Sequence, residues 1–220
     1  MTPDPADTDR KRIVAVFDFD KTLSTRDNVV PFLVAVAGRR SVAVALVGSI
    51  PNLLRRRRDA VKARLVRLLL TGRAETVARA AAEGLAADVI AAHLRRDVVA
   101  RAGWHRRAGH ELVIVSASFA WYLEPVARHL GFDAILATDL EVIAGRLSGR
   151  LVGANVRGIE KVRRLDTWLA GAPAQVWAYG DSAGDRELLA RADVAIRVGG
   201  AALSEEPEPD STEGSGRVAR

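Results

Sequence analysis

The sequence predicts an α/β fold in which a mostly parallel sheet carries helices on both faces and accepts an inserted run of helices. Three observations predict it. Short apolar runs that resemble strands each end in a polar motif, and the second half of the chain alternates strand-like and helix-like segments. Between the first two apolar runs lies a long stretch with helical periodicity only. Alternating strands and helices favour parallel pairing, with the helices covering the sheet.

The first predicted strand covers residues 13–17 and leads into two aspartates, Asp18 and Asp20. Two carboxylates at a strand end can divide the work of a reaction. One attacks an electrophile while the other transfers protons, provided that a cation masks their mutual repulsion. This placement predicts a covalent phosphoryl-transfer site. The alternative interpretation is a pair of solvated aspartates that cap a turn.

The inserted stretch follows at once and is predicted to be helical. Polar residues at 24–27 offer helix N-caps, and the apolar residues at 61, 65, 68 and 69 recur with the period of a helix. We expect helices over residues 39–54, 59–70, 74–85 and 88–108.

After this stretch, strands and helices alternate to the end of the fold. Strands are predicted at 111–116, 134–137, 175–179 and 194–198, a hairpin turn at 145–149, and helices at 120–130, 159–169 and 185–191. In open sheets of this type, ligands bind beyond the carboxyl ends of the strands. Asp18, Ser116 and Asp181 are all expected at that edge.

Four motifs carry a resemblance to a known family. They are Asp18 to Thr22, Val115 to Ser118, Lys161, and Gly180 to Asp185, each placed after or beside a predicted strand. In order and spacing they resemble the haloacid dehalogenase (HAD) superfamily, subfamily IB, in its phosphoserine phosphatase-like branch. The resemblance covers roughly residues 13–198.

The resemblance implies a domain organisation. A Rossmann-like catalytic core would comprise residues 11–26 and 105–203, and an inserted α-helical cap would comprise residues 27–104. Residues 1–10 and 204–220 would be disordered termini, and the second of these is rich in Glu, Pro, Ser and Gly.

The resemblance also implies roles in catalysis. Asp18 would attack phosphorus to form an aspartyl-phosphate, and Asp20 would protonate the leaving oxygen and later activate water. Phosphate would be held by Ser116, the Ala117 N–H and Lys161, with Thr22 either adding a hydrogen bond or serving as a turn residue.

A magnesium site and a substrate contact are implied as well. Mg²⁺ would be held by Asp18, the backbone carbonyl of Asp20, and Asp181. Asp185 and Ser182 would not bind the metal and would hold these ligands in place. Asp27 corresponds to an acidic residue that contacts substrate in phosphoserine phosphatases, but its side chain is shorter. Together these features predict a magnesium-dependent phosphatase.

Serine phosphate is not the default substrate. Gly184 stands where the serine-specific enzymes have asparagine, and no arginine of the cap can be assigned to substrate. We therefore expect a small organic phosphate or a lipid phosphate. The apolar stretch 29–54, with the arginine run 55–58, leaves peripheral membrane contact open, although charge runs are usually solvated helix ends.

Composition limits the number of domains, the kinds of metal site and the kinds of partner. The chain of 220 residues is 49% hydrophobic, which fits one domain with an insertion. It has no cysteine, so disulfides and thiolate metal sites are excluded. The net charge of +6 comes without aromatic–basic interleaving, and we expect no nucleic-acid partner.

The polar first ten residues predict a cytoplasmic location. No apolar run is long enough to span a bilayer. Nothing in the sequence indicates the oligomeric state.

Three alternatives remain beside a hydrolase. A phosphotransferase to an acceptor other than water would use the same residues. A receiver-like signalling domain also phosphorylates an aspartate, but the Asp-x-Asp-x-Thr spacing and the large insertion argue against it. A membrane- or partner-binding protein with a degenerate site is the third alternative, and the four intact motifs argue against it.

Overall fold

The computed structural model describes residues 12–49 and 58–207. The predicted disordered residues 1–10 and 208–220 lie outside these ranges, as do residues 50–57 with three of the four arginines of the run. No described helix is both long and apolar enough to cross a bilayer.

The fold is a six-stranded sheet with helices on both faces, which confirms the predicted class. The strands are β1 (Ile13–Phe17), β2 (Glu111–Phe119), β3 (Ala134–Ile143), β4 (Arg146–Val152), β5 (Gln175–Gly180) and β6 (Val194–Arg197). Their order is β4-β3-β2-β1-β5-β6, and only β4 runs antiparallel to its neighbour. The first strand is therefore central, and its carboxyl end is flanked by those of β2 and β5.

The described helices fall into two groups along the chain. Between β1 and β2 are α1 (Val29–Ala37), α2 (Arg39–Val47), α3 (Arg58–Leu70), α4 (Glu75–Asp88) and α5 (Arg96–Arg107). After β2 come α6 (Ala120–Leu130), α7 (Ile159–Leu169) and α8 (Arg186–Arg191).

The core lies on both sides of the sheet because β1 and β2 are apolar on both faces. Val14 and Val16 pack towards α7 and α8 with Leu165 and Leu188. Ala15 and Phe17 point the other way, into a larger apolar cluster that includes side chains of α1, α3, α4, α5 and α6. A strand buried on both faces is expected to read as one continuous apolar run, as residues 13–17 do.

Two segments between β1 and β2, one close after β1 and one just before α5, lie side by side. Ser24 pairs with Leu94 in an isolated antiparallel bridge, with the Thr25 N–H bonded to the His93 carbonyl at 2.8 Å and the Arg95 N–H to the Leu23 carbonyl at 2.9 Å. This pairing interrupts the single helix expected over 88–108, which becomes the end of α4, a turn at Val89–His93, and α5. The predicted boundary at 104/105 falls inside α5.

Two strands extend beyond their predicted ends. The second strand continues to Phe119, and its pairing with β3 shifts register between Ser116 and Phe119, which marks a bulge. The third strand continues to Ile143 because β4 pairs with it, whereas the sequence placed its end at 137. Bulges re-aim side chains and are common beside active sites.

Candidate active site

A cleft opens at the carboxyl edge of the sheet, where β1, β2 and β5 end. Most of its lining residues are charged or hydroxylated. The lining comprises Asp18, Asp20, Lys21, Asp27, Arg58, Ser116, Ala117, Arg157, Lys161, Asp181, Ser182, Gly184 and Asp185. Parallel strands bring their carboxyl ends to one edge, so motifs more than 150 residues apart in sequence meet here.

Asp18 and Lys161 form the buried centre of the cleft. The Lys161 Nζ lies 2.5 Å from an Asp18 oxygen and 2.5 Å from an Asp185 oxygen, and all three side chains are buried. Burial alone would lower the pKa of Lys161, but the carboxylates of Asp18 and Asp185 raise it, so the lysine is a cation. Burial raises the pKa of the Asp18 carboxyl, and the charge of Lys161 opposes that shift.

Asp20 lies on the irregular turn after β1 and is held by hydrogen bonds from Asn28 and Ser118. One of its oxygens accepts hydrogen bonds from the backbone and side-chain amides of Asn28 at 3.0 and 2.8 Å, and the other accepts from the Ser118 hydroxyl at 2.6 Å. Burial and the charge of Asp27 raise the pKa of Asp20 to about 7. A carboxyl group with such a pKa can exchange a proton near neutral pH.

The turn itself is strained. Lys21, between Asp20 and Thr22, has a φ of 61°, in the left-handed region that residues other than glycine seldom adopt. Thr22 is fully buried, and its hydroxyl has no hydrogen-bond partner in the part of the chain that the structure describes. It is the one sequence-predicted site residue that does not line the cleft.

Three carboxylates form a group that could hold a metal ion. Oxygen atoms of Asp18, Asp181 and Asp185 lie within 4.8 Å of one another. Asp181 is half-buried, and burial raises its pKa, as does the charge of Asp185. An all-oxygen set of this kind suits a hard divalent cation such as Mg²⁺. The Asp20 carboxylate is not in the group, and the sequence assigned only its backbone carbonyl to metal.

Asp185 is held by the loop that follows β5. One of its oxygens accepts from the Ser182 N–H at 3.0 Å and from the Ser182 hydroxyl at 2.8 Å. Gly180 makes room for this arrangement, because a Cβ atom there would lie 2.6 Å from the Asp185 Cβ. The glycine ending β5 thus lets the Asp185 side chain approach the strand closely.

The phosphate-binding candidates lie on the bulge of β2. Ser116 is buried, with a relative exposure of 1%, and its Oγ accepts a hydrogen bond from the Ser118 N–H at 3.1 Å. Its own hydroxyl proton is therefore available to another acceptor. Ala117 is the next residue and also lines the cleft.

Five residues that line the cleft or contact its lining had not been assigned a role from the sequence. Arg58 is the last arginine of the run, and Arg157 precedes the glycine that begins α7. Asn28 and Ser118 hold Asp20, and Lys62 of α3 contacts the Ala117 carbonyl. Of these five, only Ser118 stood inside a recognised motif. Asp27, the predicted substrate contact, lines the cleft and also accepts from the Val29 N–H at 3.0 Å.

Comparisons with known proteins show the family of the chain. The family model described as haloacid dehalogenase-like hydrolase matches residues 15–190. Protein CicA of Caulobacter vibrioides is 39% identical over 190 residues, which cover 82% of this chain and 83% of that protein. Phosphoserine phosphatase SerB2 of Mycobacterium tuberculosis is 32% identical over 190 residues, which cover 84% of this chain and 44% of that protein.

Solved structures share the fold. A protein with unknown function from Bordetella pertussis has a TM-score of 0.73 and 28% identity, covering 85% of this chain and 90% of the other. A phosphoserine phosphatase carrying a phospho-aspartyl intermediate analogue has a TM-score of 0.64 and 19% identity, covering 86% and 87% of the two chains. At that level of identity the second likeness shows the fold alone.

Proposed function

The chain belongs to the haloacid dehalogenase-like hydrolase family, in its phosphoserine phosphatase-like branch, and on that premise we propose that this phosphatase is a magnesium-dependent phosphomonoester hydrolase that works through an aspartyl-phosphate. One observation carries the proposal. Asp18, buried at the end of β1, faces Lys161, Asp181 and Asp185 in the same cleft as Ser116 and Asp20.

The proposed reaction has two displacements. In the first, an Asp18 oxygen bonds to phosphorus as the bond to the leaving oxygen breaks, and Asp20 gives that oxygen its proton. In the second, water bonds to phosphorus, its proton passes to Asp20, and the Asp18–phosphorus bond breaks to release phosphate. The pKa of about 7 for Asp20 supports both transfers, because the group is protonated for one and returns to that state in the other.

Charge on the transferring phosphoryl group would be offset by this chain's own donors. Lys161 is a buried cation beside Asp18, and the free hydroxyl proton of Ser116 can be donated to a phosphoryl oxygen. Mg²⁺ held by Asp18, Asp181 and the Asp20 carbonyl would supply further positive charge. Asp185 is held by Ser182 and Lys161 in a position to support that site.

The proposed substrate is a phosphomonoester of a small organic or lipid alcohol. Arg58 and Arg157 bring positive charge to the cleft and Asp27 brings negative charge, which supports a substrate with polar groups beside its phosphate. Transfer to an acceptor other than water remains the alternative within the same site. Product analysis separates the two, because a transferase leaves the phosphoryl group on the acceptor whereas a hydrolase releases inorganic phosphate.

The test is phosphate release from an aryl phosphate by the purified protein. Activity should require magnesium, disappear with a chelator and return when magnesium is restored. The Asp18→Asn variant should be inactive because an amide is a poor nucleophile, while Asp20→Asn should be about 10²–10⁴-fold slower. A folded Asp18→Asn protein with appreciable activity would contradict the covalent mechanism.

Contact with an anionic membrane surface is a second, independent part of the proposal. It is supported by α2, where Val44 and Val47 are 74% and 66% exposed, one helical turn apart, on a helix that begins with two exposed arginines. Sedimentation with anionic vesicles should detect binding, and replacing both valines with serine should weaken it. No sedimentation of the parent protein with such vesicles would refute membrane contact and leave the hydrolase proposal untouched.

A further inference from the structure

Lys62 is a buried lysine of α3 whose side chain lies beside the active-site cleft. Its side chain is 8% exposed, its Nζ donates to the Ala117 carbonyl and, at 2.7 Å, to Oδ1 of Asn155, and it lies 4.4 Å from the centre of the Phe119 ring. No carboxylate of the described residues forms an ion pair with it. The amino group therefore contacts two carbonyl oxygens and an aromatic face.

Such an arrangement is costly for folding. Burial lowers the pKa of Lys62 to about 7, although Asp20, Asp59 and Asp27 act electrostatically in the opposite direction. A buried charge without an ionic partner usually stabilises a protein less than an apolar side chain of similar volume. Lys62 thus occupies a position where a leucine or methionine would be expected from stability alone, on the same buried face as Leu65 and Val66.

The contact falls on one particular peptide unit. Lys62 binds the carbonyl of the Ala117–Ser118 peptide, and the N–H of the same peptide donates to Ser116 Oγ at 3.1 Å. The Ser118 hydroxyl in turn donates to Asp20 at 2.6 Å. This peptide lies in the bulge, where the pairing between β2 and β3 shifts register. Its orientation therefore depends on side chains more than on a regular ladder of strand hydrogen bonds.

A second contact ties α3 to the same region. Asn155 donates to Asp59 at 2.7 Å, and its Oδ1 accepts from both Lys62 and, at 2.9 Å, the Thr138 hydroxyl. Asp59 and Lys62 are three residues apart and lie on one side of the helix. The helix α3 is thus bound at two neighbouring points, the Ala117 carbonyl and the Asn155 side chain, next to the phosphate-binding candidates.

We propose that Lys62 is a positioning residue: by holding the Ala117–Ser118 peptide, it directs the Ser116 hydroxyl proton into the cleft and keeps the Ser118 hydroxyl on Asp20. The inference rests on the proposed function, since it assigns Lys62 a part in the same reaction. It also makes the packing of α3 against the β2 bulge a condition for phosphate binding. Lys62 does not line the cleft and acts only through these neighbours.

The test is a double-variant cycle on Lys62 and Ser116. Lys62→Met should lower kcat/KM for an aryl phosphate by about 10- to 100-fold. It should add less than about threefold to the loss caused by Ser116→Ala, because each change removes a hydrogen bond that holds the Ala117–Ser118 peptide. Arg67→Met, at an exposed position of the same helix, is the control and should keep parent activity. Lys62→Gln retains an N–H donor and should lose less than Lys62→Met.

A second readout does not depend on activity. Amide hydrogen exchange at Ser118 should be faster in Lys62→Met than in the parent and in Arg67→Met. Unchanged exchange, unchanged kcat/KM in folded Lys62→Met, or losses that multiply in the double variant would each overturn the role of Lys62. A parent protein that releases no phosphate would instead refute the proposed hydrolase, and the exchange measurement would still decide whether Lys62 holds the peptide.

Discussion

His105 is a fully buried histidine whose surroundings keep it neutral. Its two ring nitrogens lie 2.8 Å from His110 Nδ1 and 2.8 Å from the Tyr179 hydroxyl. Burial lowers the pKa of His105 to about 3, and the nearby charges of His110 and Arg101 act in the same direction. The cluster matters for the site because the Tyr179 carbonyl accepts the Asp18 N–H at 2.9 Å.

We expect this histidine to contribute to acid unfolding. Its pKa of about 3 in the folded protein lies below the usual histidine value of 6.5, so the stabilisation is complete above pH 6.5 and is lost as pH falls towards 3. The contribution is about 1.4 kcal/mol for each pH unit in that window. Urea unfolding of His105→Gln should show a smaller drop in stability between pH 7 and pH 5 than the parent. His129→Gln, at an exposed position, is the control, and a parent-like drop in His105→Gln would contradict the assignment.

The hairpin of β3 and β4 packs closely against α3, and Gly149 makes the contact possible. Gly149 has a φ of 81°, and a Cβ atom there would lie 2.0 Å from Thr71 Oγ1 and 3.2 Å from the Arg67 Cα. Gly145, in the turn of the same hairpin, has a φ of 72° with no atom near its Cβ position. The two glycines therefore share a left-handed backbone that other residues seldom adopt, and they differ in crowding.

Replacing each glycine with alanine should separate these two effects. Gly145→Ala should lower the free energy of unfolding by about 1–2 kcal/mol through the left-handed backbone alone. Gly149→Ala should cost about 1–3 kcal/mol more, because the hairpin and α3 must move apart. Urea titrations give both free energies of unfolding. Equal losses of stability in the two variants would show that α3 does not crowd the hairpin at Gly149. A shift of α3 should also lower activity if Lys62 has the proposed role.

Residues 203–205, close to the end of the described range, are bound to α5. Arg101 of α5 is fully buried and donates to the Ser204 and Glu205 carbonyls at 3.0 and 3.1 Å and to the Tyr179 hydroxyl at 3.2 Å. The Leu203 N–H bonds to Asp97 at 3.2 Å. Ser204 and Glu205 were assigned to a disordered tail from composition, whereas the structure gives them these contacts with a buried guanidinium.

Shortening the chain should show how much this segment stabilises the molecule. A protein that ends at Ala202 loses the two carbonyl acceptors of Arg101 and the apolar contact of Leu203, and should be about 2–4 kcal/mol less stable. A protein that ends at Pro207 keeps these contacts and should be the more stable of the two truncated proteins. Thermal unfolding of the two truncated proteins is the measurement. Similar stability of both would mean that the segment adds little.

Much of the fold and of the cleft was predictable from the sequence, because both follow from local patterns. Apolar runs bounded by polar motifs identify strands, and parallel strands bring Asp18, Ser116 and Asp181 to one edge whatever their separation in the chain. Helix periodicity predicted α3, and the alternation of strand-like and helix-like segments predicted α6 and α7. The missed break before α5 has no local signal, since it depends on the pairing of Leu94 with Ser24, 70 residues earlier.

The sequence by itself determined the class of fold, the family and the residues proposed for chemistry, since each is carried by a short motif at a strand end. Only the tertiary structure decided that Lys62 and Arg58 approach the cleft and that Thr22 does not line it. Periodicity tells which face of a helix is buried, but not which surface that face meets. The partners of α3 are set by packing between segments far apart in sequence, and this packing places a buried lysine against the Ala117–Ser118 peptide.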